Sequence, residues 1–285
     1  MLGLTGTITS TVNSLRALRA YRSASQRREQ SLMQMATGRR INRAADDPAG
    51  LIASEQLGST LAALDAETSA NERASLQATT ADGALGQVSD LLTQAKSLVS
   101  ANANTGGLSP DEKSANQMEL DSILSAVDRM SSSTSFGGRK LLDGSATLSA
   151  SGQSLTIESS AAANLGKTDA AGTTYTLADL KTGGALSTQS GSSPTAGDVL
   201  DKAINDVATQ RGKIGAFDKD TLQTRINSVA VSREQMLSAL SQIRDTDYAL
   251  AAAQQSQARL LQQSSLATLV QSLGRPRIGM FSIWA

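Results

Sequence analysis

LGSTLAALDAETSANERASLQATTADGALGQVSDLLTQAKSLV, residues 57–99, sets Leu57, Leu64, Asn71, Ala78, Leu85, Leu92 and Val99 seven places apart. A residue recurring every seven positions keeps one stripe of a helix turned towards a partner. The C-terminal part carries a matching seam, in which Leu222, Ile226, Val229, Arg233, Met236, Leu240 and Ile243 advance in alternating steps of four and three. Seams this far apart in sequence are expected to pair as a long antiparallel, coiled-coil-like rod with both chain ends together. That is the architecture of a building block and not of a pocket.

Composition agrees with close helical packing. Aromatics are 2% of the 285 residues, so Leu, Ile, Val, Met and Ala must fill the interior. Cysteine is absent, which removes disulfides, thiolate metal sites and cysteine nucleophiles. Histidine is absent too, and with it the commonest general base near neutral pH and the commonest nitrogen ligand for zinc. No catalytic residue, cofactor or metal is expected. Residues 1–43 hold eight arginines against the single acid Glu29, a net +7, and beyond Asp247 only Arg259, Arg275 and Arg277 are charged. Basic ends can attract nucleic acid or anionic lipid. These arginines, however, are spread along a helical pattern with one interleaved aromatic, Tyr21, and no stacking platform. They read as a subunit contact or solvated surface, and nucleic acid is not expected as a partner. No run approaches the roughly 18 apolar residues of a membrane span. Met1-Leu2-Gly3-Leu4-Thr5-Gly6 lacks the basic-then-apolar pattern of a cleavable signal, so neither membrane insertion nor a cleaved leader is expected.

Punctuation along the chain divides it. A first helix is expected over about Thr7–Ala36, with Leu4, Ile8, Val12, Leu15 and Leu18 as its stripe and Thr37-Gly38 as its end. Asp47 and Pro48 have the chemistry of an N-cap and a first helical position, opening a helix that should end near Thr105-Gly106-Gly107. Ser109-Pro110-Asp111-Glu112 spells a capping box before a shorter helix with Leu120, Ile123, Val127 and Met130 on its buried face, stopped by Gly137-Gly138. Short strands are expected around Lys140-Leu141-Leu142 and Ser154-Leu155-Thr156-Ile157, with hairpin turns at Asp143-Gly144 and Ser151-Gly152. Residues 158–194, rich in Ser, Thr, Gly and Ala, read as weakly structured and solvent-facing. A long helix resumes near Ala196, with a bend or tight contact at Gly212 and Gly215, and a last helix runs from about Tyr248 to Leu273 on a Leu266, Leu269, Leu273 stripe. Asn71 and Arg233 interrupt the two seams, either fixing register or, the preferred reading, marking where a seam opens to solvent. Gly166-Lys167-Thr168 lacks the glycine a phosphate loop needs at 161, where Ala161 stands, and is read as chance.

Three motifs resemble those of the bacterial flagellins. Thr37-Gly38-Arg39-Arg40-Ile41-Asn42-Arg43-Ala44-Ala45-Asp46-Asp47-Pro48-Ala49-Gly50-Leu51 is similar to that family's N-terminal signature, carried by Arg40, Ile41, Asn42, Asp46, Asp47, Pro48 and Gly50. Ile243-Arg244-Asp245-Thr246-Asp247-Tyr248-Ala249 and Gln257-Ala258-Arg259-Leu260-Leu261-Gln262-Gln263 are similar to its C-terminal one, through Arg244, Asp245, Asp247 and Gln262. Arg211-Gly212-Lys213-Ile214-Gly215-Ala216 resembles the start of its long C-terminal helix.

The resemblance implies a mainly α fold: terminal inner-tube helices at 1–45 and 245–285, rod helices at 46–138 and 195–244, and a β-hairpin with a variable segment at 139–194. It implies an extracellular filament built from identical or related subunits for swimming motility, exported through the flagellar channel. An export chaperone at the C-terminal helix, a filament cap and hook-associated proteins are the implied partners. It also implies innate-immune recognition around Leu98 and Glu119, weakened here because the expected arginine four places before Leu98 is Gln94. The tail Gly274–Ala285, with Pro276, Phe281 and Trp284, departs from the family's short apolar ending. A narrow apolar stripe does not offset the ordering entropy of an isolated helix, so 1–45 and 245–285 are expected to order only against neighbouring copies. The alternatives are a hook–filament junction protein of the same superfamily and a secreted helical adhesin or scaffold.

Overall fold

A computed structural model describes residues 2–103, 107–150, 152–170, 172–187 and 194–273, with side chains from residue 12 onward to 271. Leu4 and Ile8 of the first expected stripe, Leu273 of the last, the expected stop at Thr105-Gly106 and the tail from Gly274 lie outside these described side chains or residues. The helices are α1 (Leu2–Thr37), α2 (Pro48–Ala103), α3 (Pro110–Ser133), α4 (Pro194–Ala216), α5 (Thr224–Arg244) and α6 (Tyr248–Leu273), with a π turn at Phe217–Gln223 joining α4 to α5. Three antiparallel strand pairs lie between α3 and α4: β1 (Ser135–Phe136) with β2 (Arg139–Lys140), β3 (Thr147–Ala150) with β4 (Gln153–Thr156), and β5 (Thr168–Ala170) with β6 (Thr173–Tyr175). The chain divides into two compact units, residues 1–62 with 233–285 and residues 63–232, and the division falls inside α2 and α5.

Local chemistry starts and stops the helices largely where the sequence places it. Gly38 ends α1 at φ +70°, a conformation that costs glycine little. Asp47 Oδ1 accepts from Gly50 N at 2.9 Å and caps α2, with Pro48 first in the helix. At α3, Ser109 Oγ accepts from Glu112 N and the Glu112 carboxylate accepts from Ser109 N at 2.7 Å, a complete capping box. That backbone N–H also lowers the Glu112 pKa.

In the 63–232 unit, α2 buries Ala78, Leu85, Leu92 and Val99 against α3 and α4, as the seven-residue spacing requires. Asn71 is buried as well, at 3% exposure, and its Nδ2 has no hydrogen-bond partner. The seam therefore does not open to solvent there, whereas at Arg233 it does. Three ion pairs join α2 to the C-terminal helices: Glu67–Arg225, Asp82–Arg211 and Lys96–Asp201.

Four local expectations are corrected. Helix α3 ends at Ser133, and Gly137-Gly138 instead form the β1–β2 turn with φ +58° and +81°, the two positive values of a type I′ hairpin. Asp143-Gly144 is no hairpin turn: Leu141 and Leu142 are buried and the Asp143 carboxylate holds the Ser145 N–H and hydroxyl. A Cβ at Gly212 or Gly215 would meet nothing within 4 Å, so neither marks a tight contact, and the irregularity is the π turn that follows them. The segment from 158 to 187 contributes to the core through a few side chains, while much of the rest of it is exposed. Leu165, Leu177, Leu180 and Leu186 are buried with α3 and α4, buried Gln117 donates to the Leu180 carbonyl at 2.8 Å, and Asp128 holds Ala162 N and Lys181 Nζ. Few large residues lie there, but each one points inward. At Gly166 the Val199 carbonyl leaves no room for a Cβ, so the chain lies directly on α4; Gly166 N donates to the Asp206 carboxylate, the opposite of a phosphate cradle.

Candidate assembly unit

The two signature stretches, about 200 residues apart, meet in the unit of residues 1–62 and 233–285. Arg40 N donates to the Arg244 carbonyl at 2.6 Å and Thr246 N to the Gly38 carbonyl at 3.0 Å, with Arg39 and Asp245 paired as a β-bridge. The Arg40 guanidinium donates to the Ile243 carbonyl at 3.1 and 2.6 Å and pairs with Asp47 at 3.5 Å. This one cation thus ties the Ile243 carbonyl at the end of α5, where a positive charge is favoured, to the capping residue of α2. Asp46 Oδ2 accepts from Asn42 N and Arg43 N, and Asn42 Nδ2 donates to the Arg39 carbonyl at 2.7 Å. Asp247 Oδ1 accepts from Leu250 N at 3.0 Å and caps α6. Ile41 is buried beneath the turn, and a Cβ on Gly50 would come within 2.7 Å of its Cδ1 and collide with the Asp47 carboxylate.

The carboxylates of Asp46 and Asp47 are therefore engaged by protein donors, which accounts for the pair without a cation. Arg40, Ile41, Asn42, Asp46, Asp47, Pro48, Gly50, Arg244, Asp245 and Asp247 all belong to this junction. Gln262 lies further along α6, where its Oε1 accepts from Arg28 Nη1 at 3.3 Å. Together with the Gly38–Thr246 bond, that contact makes α1 and α6 antiparallel.

The face on which α1 and α6 close was not expected. Helix α1 buries Ala17, Ala24 and Ser31, and α6 buries Ala251, Ala258 and Ser265, each set seven residues apart. Small side chains let the two helix axes come close. Large apolar residues are left on the outside: Val12, Leu15, Leu32 and Met33 on α1, and Leu250, Leu260, Leu261, Leu266 and Val270 on α6. Val12, Leu15 and Leu266, members of the two apolar stripes read from the sequence, are 39%, 54% and 49% exposed in the single chain. The sequence held the signal, a seven-residue spacing of Ala and Ser, but the larger residues nearby obscured it.

A polar groove of about 700 Å³ runs beside the junction, lined by Gln30, Gln34, Arg40, Asp245, Gln254 and Gln257 among others. Within it Gln34 Nε2 donates to the Arg40 carbonyl, the Arg40 guanidinium donates to the Ile243 carbonyl and the Asp245 carboxylate accepts from Ser241 Oγ. In the other unit, Leu98 is half-buried against the core, while Gln94, one helical turn before it, and Glu119 are exposed. No helix among the described residues is long and apolar enough to cross a membrane.

Known proteins match the sequence at both ends. Residues 8–147 match the bacterial flagellin N-terminal helical region, and residues 198–273 match the bacterial flagellin C-terminal helical region. Flagellin of Bacillus subtilis (strain 168) is 30% identical over 93% of this chain and 95% of its own length. The flagellar filament 30.7 kDa core protein of Treponema maltophilum is 29% identical over 85% of this chain and 87% of its own. The crystal structure of Bacillus cereus flagellin is a looser likeness, with a TM-score of 0.42 and 23% identity over 55% of this chain and 86% of that one. With both terminal regions matched and a relative aligned along nearly its whole length, the chain belongs to the bacterial flagellin family.

Proposed function

We propose that this flagellin elongates the flagellar filament by burying the outward apolar faces of α1 and α6 against identical or related copies. A structural filament subunit is what the family is, and the observation that carries the finer reading is the inversion of those two helices. Their small residues face each other and their large apolar residues face out. A fully buried Leu or Val gains about 1.5–3 kcal/mol over an exposed one, so several such residues per copy supply a strong drive to associate. Head-to-tail contacts that do not close give a fibre and not a ring.

The same faces support partners along the path of export: a chaperone covering α6 before assembly, then the filament cap and hook-associated proteins at the growing structure. The subunit leaves through the flagellar channel and acts outside the cell, with no catalytic role. Before assembly, α1 and α6 hold each other through small side chains and a long Arg28–Gln262 hydrogen bond, so their order is marginal in the monomer. Hydrogen exchange on the monomer is expected to show fast amides through 12–37 and 248–271; strong protection there sinks this point. Recognition by the innate-immune flagellin receptor is reduced by Gln94, and Gln94→Arg should raise potency in a receptor-reporter assay.

The main test is seeded elongation of the purified full chain in salt, followed by negative-stain microscopy. Wild type is expected to form long tubes. The double variant Leu15→Ser with Leu260→Ser should keep its monomer melting profile and raise the critical concentration roughly tenfold or more. Unimpaired elongation by that variant, or failure of the wild type to elongate, overturns the proposal.

A further inference from the structure

The seam of the C-terminal helices changes phase once. Along α4 it runs Ala196, Leu200, Ala203, Val207, Gln210 and Ile214, all buried, in steps of four and three. It resumes at Leu222, Ile226 and Val229 in the same steps, with Leu222 and Val229 buried. From Ile214 to Leu222 is a step of eight residues, where two turns of a 3.5-residue seam take about seven. An uninterrupted α-helix would carry Thr221 to the seam and rotate Leu222 off it.

The π turn at Phe217–Gln223 absorbs the extra residue. Successive turns of a π-helix stack residues five apart, and Phe217 and Leu222 stand five apart. Both pack in one small cluster with Ala74 of α2 and Ala150 of β3, and Phe217 packs against the main core as well. Ala150 and Gln153 pair across the tip of the β3–β4 hairpin. Thr221 Oγ1 donates to Gln153 Oε1 at 3.1 Å, and Gln223 Nε2 donates to Ser75 Oγ at 3.3 Å. The hairpin tip, α2 and the widened helix therefore meet at the one place where the seam phase shifts.

We propose that the π turn is a one-residue phase insertion locked in place by the tip of the β3–β4 hairpin, so that hairpin docking and the register of α5 are coupled. The wide turn gathers Phe217 and Leu222 onto one face, and Ala150 and Gln153 cover that face. Without that cover the extra residue has no fixed position, and the turn is free to migrate along the helix. This reading is independent of how copies assemble.

Single-residue deletions in the full-length chain test it. Deleting Asp220, which is exposed, removes the insertion and should leave one continuous α-helix with the seam in phase, melting cooperatively with helicity preserved. Deleting the exposed Asn205 in α4 throws the seam out of phase and should abolish cooperative melting. The coupling is read by hydrogen exchange over residues 217–225. There Ala150→Asp, or the gentler Gln153→Ala, should accelerate exchange roughly tenfold and a few-fold respectively in the full-length background, and have little effect once Asp220 is deleted. Loss of cooperative melting on deleting Asp220, or equal effects of the hairpin variants in both backgrounds, overturns the proposal.

Discussion

Gly50 shows how tightly single residues are specified at the junction. Its Cα faces both the Asp47 carboxylate and Ile41 Cδ1, so Gly50→Ala has to displace the cap or the buried isoleucine. A loss of about 1–3 kcal/mol in urea unfolding is expected. Asn71 is the reverse case. Its amide nitrogen is buried without an acceptor, so Asn71→Leu removes an unsatisfied donor and should raise stability by about 1 kcal/mol, measured the same way. Glu67 gives a pH signature. The hydrogen bond from Arg225 holds the Glu67 carboxyl below its ordinary value of 4.5, against the opposing effect of burial, and the attraction of the Arg225 charge adds a lesser lowering. A lowered folded pKa stabilises above the unfolded value and is lost as pH falls through the folded one. The melting-temperature gap between wild type and Glu67→Gln should thus be open at neutral pH and close in acid. A gap that persists far below pH 4 would show that the ion pair is not its source.

Among the elements, helix ends were legible because caps are local. Ser109, Pro110 and Glu112 satisfy amides within their own turn, and the structure builds the box the four residues spell. Glycine pairs were less reliable: Gly137-Gly138 permits a positive φ, which serves a helix end and a hairpin turn equally well. The segment 158–187 was misjudged because composition averages over residues. Its four buried leucines are sparse in sequence yet converge on α3 and α4, so Leu180→Ala should cost about 2–5 kcal/mol in chemical denaturation. A cost near zero would return the segment to the solvent-facing class.

At the scale of the molecule, charge divides as the two units do. The unit of 1–62 and 233–285 holds thirteen arginines against seven acids, a net +6, and 63–232 carries the balancing −6. Copies joined through their α1–α6 units bring like charge together, and salt screens that repulsion over about 10 Å at 0.1 M. The critical concentration for elongation should therefore fall as ionic strength rises at fixed temperature. A flat salt dependence would place the assembly contacts elsewhere.

The sequence by itself determined the helices, their caps, the seam from Ala78 to Val99 and the flagellin signatures at each end. All of these rest on spacing or on bonds between near neighbours. Only the tertiary structure decided which stripe of α1 and α6 faces inward. Each helix carries both an Ala/Ser spacing and large apolar residues, and the choice depends on how closely the partner helix approaches. It also showed that Arg40 and Asp47 form one knot with Ile243 and Arg244, and that the leucines of 165–186 are core. Contacts across such separations in sequence leave no local periodicity to read.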